Sequence, residues 1–131
     1  MDSLIRNSNQ TKQGLDFTGV ENGKIHPTDI DAVLEFDNKA LILIEAKKKG
    51  SKIPLGQRLL LERLCDSWHT KKSIVLYATH TYGDDTRDIP LSECVIDACY
   101  YKGVWRSIKS KALKETLNKI GKDWGIEKLK L

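Results

Sequence analysis

The sequence predicts an α/β fold, and three stretches carry the prediction. Residues 29–36 and 41–47 alternate apolar and polar side chains around a short polar turn, which is the period of a half-buried strand pair. Residues 55–68 place Leu55, Leu59, Leu60, Leu64 and Trp68 at helical spacing. Residues 73–79, Ser-Ile-Val-Leu-Tyr-Ala-Thr, form a short continuous apolar run of the kind found in central strands. A hairpin, then a helix, then a buried strand predicts a βαβ crossover, hence a mixed sheet of about four or five strands flanked by helices.

In chain order, residues 1–14 are polar and rich in Asn, Gln and Ser, and their conformation stays open between a short helix and an arm. Residues 15–25 hold Phe17, Val20 and Ile25 among glycines, and Asn22-Gly23 is a turn signal, so a small hairpin is expected. Pro27 sets the start of the next strand. Within it Asp29, Asp31, Val33 and Glu35 share one face, and Ile30, Ala32, Leu34 and Phe36 the other. Asp37-Asn38-Lys39 supplies the connection. The following strand has Leu41, Leu43, Glu45 and Lys47 on one face and Ile42, Ile44 and Ala46 on the other. A basic loop, Lys48-Lys49-Gly50-Ser51-Lys52, leads to Pro54, which suits a helix start. After the buried strand come a polar loop over residues 80–90, one or two strands over residues 93–108 broken at Lys102-Gly103, and a lysine-flanked C-terminal helix marked by Ala112, Leu113, Leu117, Ile120 and Trp124.

The 131 residues fit one domain, 1–131, and 40% hydrophobic content allows a core without staples. No apolar run is long enough to span a membrane, and the first residues lack the basic-then-apolar pattern of a signal peptide, so a cytoplasmic protein is expected. Three cysteines without CxxC spacing argue against a disulfide framework or a zinc site. Net charge is only +4, but its distribution is uneven. Residues 1–46 carry four basic and eight acidic side chains, whereas residues 47–72 carry eight basic and two acidic. Acids that hold a cation beside lysines that hold a polyanion would be laid out in this way.

The acids on the paired strands point to that chemistry directly. An ionised carboxylate in a mostly apolar strand is costly unless it is paired or bound to metal. If the hairpin closes around Asn38, Asp31, Glu45 and Lys47 gather on one surface, with Asp29 on the same face. Carboxylates suit Mg²⁺ or Mn²⁺, hard cations that prefer oxygen and leave positions open for phosphate and water. A lysine two residues past the second acid stays on its strand face, about 7 Å further along, where it meets phosphate or a nucleophilic water as a compact point charge.

The pattern Pro27-Thr28-Asp29-Ile30-Asp31, then Glu45-Ala46-Lys47, then Gly56-Gln57 at a helix start resembles the PD-(D/E)xK nuclease superfamily, in particular its small phage and prophage nucleases. The likeness spans residues 15–80. It implies a restriction-endonuclease-like fold with an αβββαβ core. It also implies a metal-dependent DNA endonuclease using Mg²⁺ or Mn²⁺, acting on structured DNA as a resolvase-like homodimer or as a phage processing enzyme. Residue by residue, it makes Asp31 and Glu45 the metal ligands, with the Ala46 backbone carbonyl as a third contact. Lys47 would position or deprotonate water, and Gln57 would orient water, phosphate or Lys47. Asp29 takes a supporting role, because Thr28 separates it from the proline. Lys48, Lys49, Lys52 and Arg58 are assigned to the nucleic acid. The sequence departs from the pattern in two places. No glutamate is clearly placed in the N-terminal region, and position 61 is Leu where one branch has Tyr. The reading from a different class is a non-catalytic module, an inhibitor or accessory subunit that uses the same scaffold to hold nucleic acid or protein.

The remaining chemistry-bearing residues form no motif. His26, His69 and His80 match no metal or nuclease spacing, and the Asp84-Asp85 loop reads as solvated. The three tryptophans read as core, with Trp105 beside Arg106 a candidate for stacking on bases.

Overall fold

The structure, a computed structural model, describes residues 16–21, 23–24, 27–83 and 88–131. Five strands form one mixed sheet: β1 (Ala32–Phe36), β2 (Ala40–Lys48), β3 (Ser73–His80), β4 (Val95–Tyr101) and β5 (Val104–Ala112), hydrogen-bonded in that order. Among the described residues, two helices, α1 (Leu55–Asp66) and α2 (Leu113–Trp124), and a 3₁₀ turn at Leu91–Glu93 accompany the sheet. Only β2 and β3 run parallel, joined by α1, so the expected βαβ crossover is present.

The hairpin closes around Asn38, as the alternation requires: Phe36 pairs with Ala40 and Ala32 with Ile44. Asp37 and Asn38 hold φ of 52° and 60°, conformations that Asp and Asn tolerate better than most side chains. The Lys39 amide donates to the Phe36 carbonyl at 2.8 Å to lock the turn. The β1 ladder begins at Ala32, three residues later than the alternation suggested, because the Ala46 amide donates to the Asp31 side chain rather than to a strand carbonyl.

The sheet is covered on both sides. One face carries Ile42, Ile44, Ile74, Leu76 and Ile96 against Leu113 and Leu117 of α2 and against Leu129. The opposite face carries Leu43, Val75 and Tyr100 against Leu61 and Cys65 of α1. The stripe expected on α1 is corrected here. Leu61 and Cys65 are its buried residues, while Leu55 and Leu64 are exposed, Leu55 at 62%. Leucines nearly encircle this helix, so helical periodicity alone selects no face. The helix also stops at Asp66, short of Trp68, whose indole N–H instead donates to the Lys39 carbonyl, as does the Thr70 hydroxyl. These two bonds draw the chain toward the β1–β2 turn.

The Lys102-Gly103 break is a tight hairpin, with φ of 50° and 79°. β5 runs on to Ala112 and takes up Lys109 and Lys111, which the sequence had assigned to the flank of the helix. α2 ends at Gly125 in the left-handed region (φ 69°), and the Ile126 amide returns to the Gly121 carbonyl at 2.8 Å, a closure that glycine permits without strain. The Asn22-Gly23 turn lies partly outside the described residues; among those described, a turn closes where the Val20 amide donates to Phe17. His26 and the Asp84-Asp85 loop also lie outside them.

Candidate active site

The β1–β2 register brings the predicted acids together. Extending the pairing one step beyond Ala32 and Ile44 sets Asp31 opposite Glu45, at the C-terminal end of β2 and beside the start of α1. Glu45 is 1% exposed, between Leu43 and Lys47 on its face of the strand. Its carboxyl lies against that of Asp31, and its pKa is pushed up from 4.5 to about 7. Burial is the main cause; a hydrogen bond shared with Asp31 and the Asp31 charge add to it, and Lys47 opposes. Lys47 Nζ stands 3.6 Å from Glu45 Oε1, with the lysine still partly open to solvent. Glu45 Oε2 is buried and meets no hydrogen-bond partner among the described residues.

An orphaned buried carboxylate oxygen carries a desolvation cost unless a proton or a cation satisfies it. Asp31 Oδ2 accepts the Ala46 amide at 2.8 Å, which fixes the aspartate and leaves its second oxygen uncommitted by that bond. In an extended strand the N–H and C=O of one residue point the same way. The Ala46 carbonyl therefore faces the edge on which Asp31 sits. Two carboxylates, one of them with the unsatisfied oxygen, and a backbone carbonyl form an all-oxygen donor set that fits a hard divalent cation. No group of three or more His, Cys, Asp or Glu side chains that could hold a metal gathers among the described residues, and here two carboxylates meet.

The other predicted residues fall as follows. Gln57 lies on the same face of α1 as Leu61 and Cys65, and its Nε2 donates to the Asp29 carbonyl at 3.2 Å. It thus ties the helix start to the segment leading into β1. Asp29 contributes that carbonyl, and its side chain is exposed. Lys48, Lys49 and Lys52 are exposed, and Arg58 makes an ion pair with Glu62 at 3.3 Å.

Sequence reading missed the wall on the β3 side. Tyr77 and Thr79 pair with Glu45 and Lys47 and share their face. The Tyr77 hydroxyl donates to the Ser51 carbonyl. The Thr79 hydroxyl donates to Asp97 at 2.6 Å, and Ser110 donates to the other Asp97 oxygen at 2.8 Å. β3 was legible as a continuous apolar run, but its register against β2 was not, because the crossover through α1 leaves the offset free.

Compared with known proteins, the chain matches no family model, no curated protein and no solved structure. The reading of the site therefore stands on its own geometry.

Proposed function

We propose that the protein is a metal-dependent DNA nuclease of the restriction-endonuclease-like type. The observation that carries the reading is the buried Glu45 carboxyl, with one oxygen unsatisfied, set against Asp31 and 3.6 Å from Lys47. A structural ion pair between Lys47 and Glu45 does not require a second carboxyl, Asp31, against the first, and such an arrangement costs stability when no cation is bound. The strand order also supports it: β1, β2, α1 and β3 reproduce the last four elements of an αβββαβ core.

Asp31, Glu45 and the Ala46 carbonyl would hold Mg²⁺ or Mn²⁺, which when bound supplies charge neutralisation at the scissile phosphate and acidifies water. The chain's own groups do the rest. The Ala46 amide fixes the Asp31 carboxylate, so the ligand set is preorganised. Lys47 Nζ, 3.6 Å from Glu45, would donate to the attacking water or to a phosphate oxygen. Gln57 holds the start of α1 against the Asp29 backbone, which keeps the lip of the site in place. Hydrolysis then forms a bond from the water oxygen to phosphorus and breaks the bond from phosphorus to the 3′ oxygen. The proton passes to the departing oxygen, leaving a 5′-phosphate end, as the resemblance implies. Lys48, Lys49 and Lys52 lie next to the site in sequence and exposed to solvent, available to phosphates on either side.

The test is to incubate the purified protein with supercoiled, linear, single-stranded and four-way-junction DNA in Mg²⁺, Mn²⁺ or EDTA, beside Glu45→Ala and Lys47→Ala. Metal-dependent cutting that both variants lose supports the reading. Absence of cutting on every substrate, with DNA binding unchanged in both variants, favours a non-catalytic module instead.

A further inference from the structure

A groove of about 330 Å³ opens beside the carboxylate pair, on the face that α1 covers. Such a volume falls in the range of built ligand sites, roughly 300–1,000 Å³. Its floor is Ala98, between Tyr77 on β3 and Trp105 on β5, with Ile53, Lys52 and Arg58 along the rim. Tyr77 is the β3 partner of Glu45, so the groove and the carboxylates are neighbours on one sheet face.

Both aromatic side chains are held before any ligand arrives. The Trp105 indole N–H donates to Glu62 at 2.8 Å, and its ring leans on Tyr100 at 5.4 Å between centroids. The Tyr77 hydroxyl is tied to the Ser51 carbonyl. Fixed aromatic faces lose little rotamer entropy on binding. Arg58 uses its Nε toward Glu62, which leaves the outer guanidinium donors available, and its side chain is about half exposed. Lys52 is exposed beside it. Asp97, the acid of β4, is occupied by the Thr79 and Ser110 hydroxyls. The groove thus presents aromatic walls and a cationic rim, complementary to a base attached to a phosphate backbone.

We infer that this groove receives an unpaired nucleotide of the strand to be cut, its base against Trp105 and Tyr77 and its phosphate at Lys52 and Arg58. In a duplex the faces of each base are covered by its stacked neighbours and only the edges are offered. A slot that works through ring faces therefore selects single-stranded or frayed nucleic acid. The inference rests on the nuclease reading for its ligand, but its readout is separate.

The experiment measures binding without metal, by fluorescence anisotropy in EDTA, with labelled single-stranded DNA, single-stranded RNA and blunt duplex DNA of one length. Expected are affinity about tenfold higher for the single strands than for duplex, and loss of about that factor in Trp105→Ala on single strands alone. Trp105→Phe should retain most of the affinity, and ligand-induced tryptophan quenching should shrink in that variant although the ring is kept. The surface double variant Lys52→Ala, Arg58→Ala guards against a Trp105→Ala protein that does not fold; it too should weaken single-strand binding. The two single strands decide between DNA and RNA as source. Duplex bound as tightly as single strands, or single-strand affinity unchanged in the double variant and in a folded Trp105→Ala protein, overturns the inference. Single-strand preference without any cutting would sink the nuclease reading and leave the groove standing. Metal-dependent cutting of single strands that is unaffected by the double variant and by a folded Trp105→Ala protein would sink the groove and leave the nuclease standing.

Discussion

Replacing Glu45 by Gln should stabilise the metal-free protein at alkaline pH. In the unfolded chain this carboxyl ionises near 4.5, whereas in the fold its pKa is raised to about 7, chiefly by burial. Between those values the folded state holds a proton that the unfolded state has released. Unfolding then releases a proton, so stability falls as pH rises from about 4.5 to about 7 and is flat above. The full penalty is about 3 kcal/mol, from roughly 1.4 kcal/mol per pKa unit. Gln is nearly isosteric and does not titrate, so it escapes this penalty. In EDTA at pH 8, Glu45→Gln should exceed wild type by about 2–3 kcal/mol, a rise in Tm on the order of 10 °C for a chain of this size. Near pH 4.5 the two proteins should be nearly equal. Urea unfolding of both at several pH values is the assay, since the difference between them cancels the titrating groups that do not interact with Glu45. Added Mg²⁺ should narrow the gap at pH 8, because only wild type offers the second carboxylate. If Glu45→Gln is no more stable than wild type at pH 8 in EDTA, or if the difference does not grow with pH, the argument from burial fails.

Lys47→Ala should reduce metal-dependent cleavage at least about 100-fold, measured on whichever DNA substrate is cut, while stability changes by less than about 1 kcal/mol because the lysine is part-exposed. Asp31→Asn retains a side-chain oxygen for the Ala46 amide but loses the charge, so fold and Tm should persist while Mg²⁺-induced stabilisation disappears in thermal scans. Leu61→Ala should cost about 2–5 kcal/mol, whereas Leu55→Ala should change stability by less than about 0.5 kcal/mol, a contrast that denaturant titration reads directly. Gly121→Ala should destabilise by about 1–3 kcal/mol, because the new methyl would sit 2.5 Å from the Leu129 carbonyl oxygen; Tm compared with that of Gly56→Ala, where the space is open, checks it.

The heart of the site was legible because strands have a period of two. Once Asn38 centres the turn, alternation alone sets Asp31 across from Glu45 and keeps Lys47 on the same face, and the structure has that register. The βαβ order and the Lys102-Gly103 hairpin were legible for similar local reasons, from an apolar run in one case and turn chemistry in the other. The buried side of α1 was not. Leu55, Leu59, Leu60, Leu61 and Leu64 compete for it, and only packing against Leu43, Val75 and Tyr100 selects Leu61 and Cys65. That same choice turns Gln57 toward the Asp29 backbone. The reach of β5 past Ile108 was hidden as well, because its last residues are polar and exposed and follow the strand through pairing with β4 rather than through a pattern of their own.

By itself, then, the sequence determined which groups meet at the carboxylate pair, since the turn and the alternation are local and leave one register. Tertiary structure decided what those groups are worth. Glu45 is closed off from water by the fold around its strand, and that burial holds its proton up to about 7 and leaves an oxygen without a partner among the described residues. Desolvation depends on everything packed around an atom, and no stretch of chain around residue 45 encodes it alone.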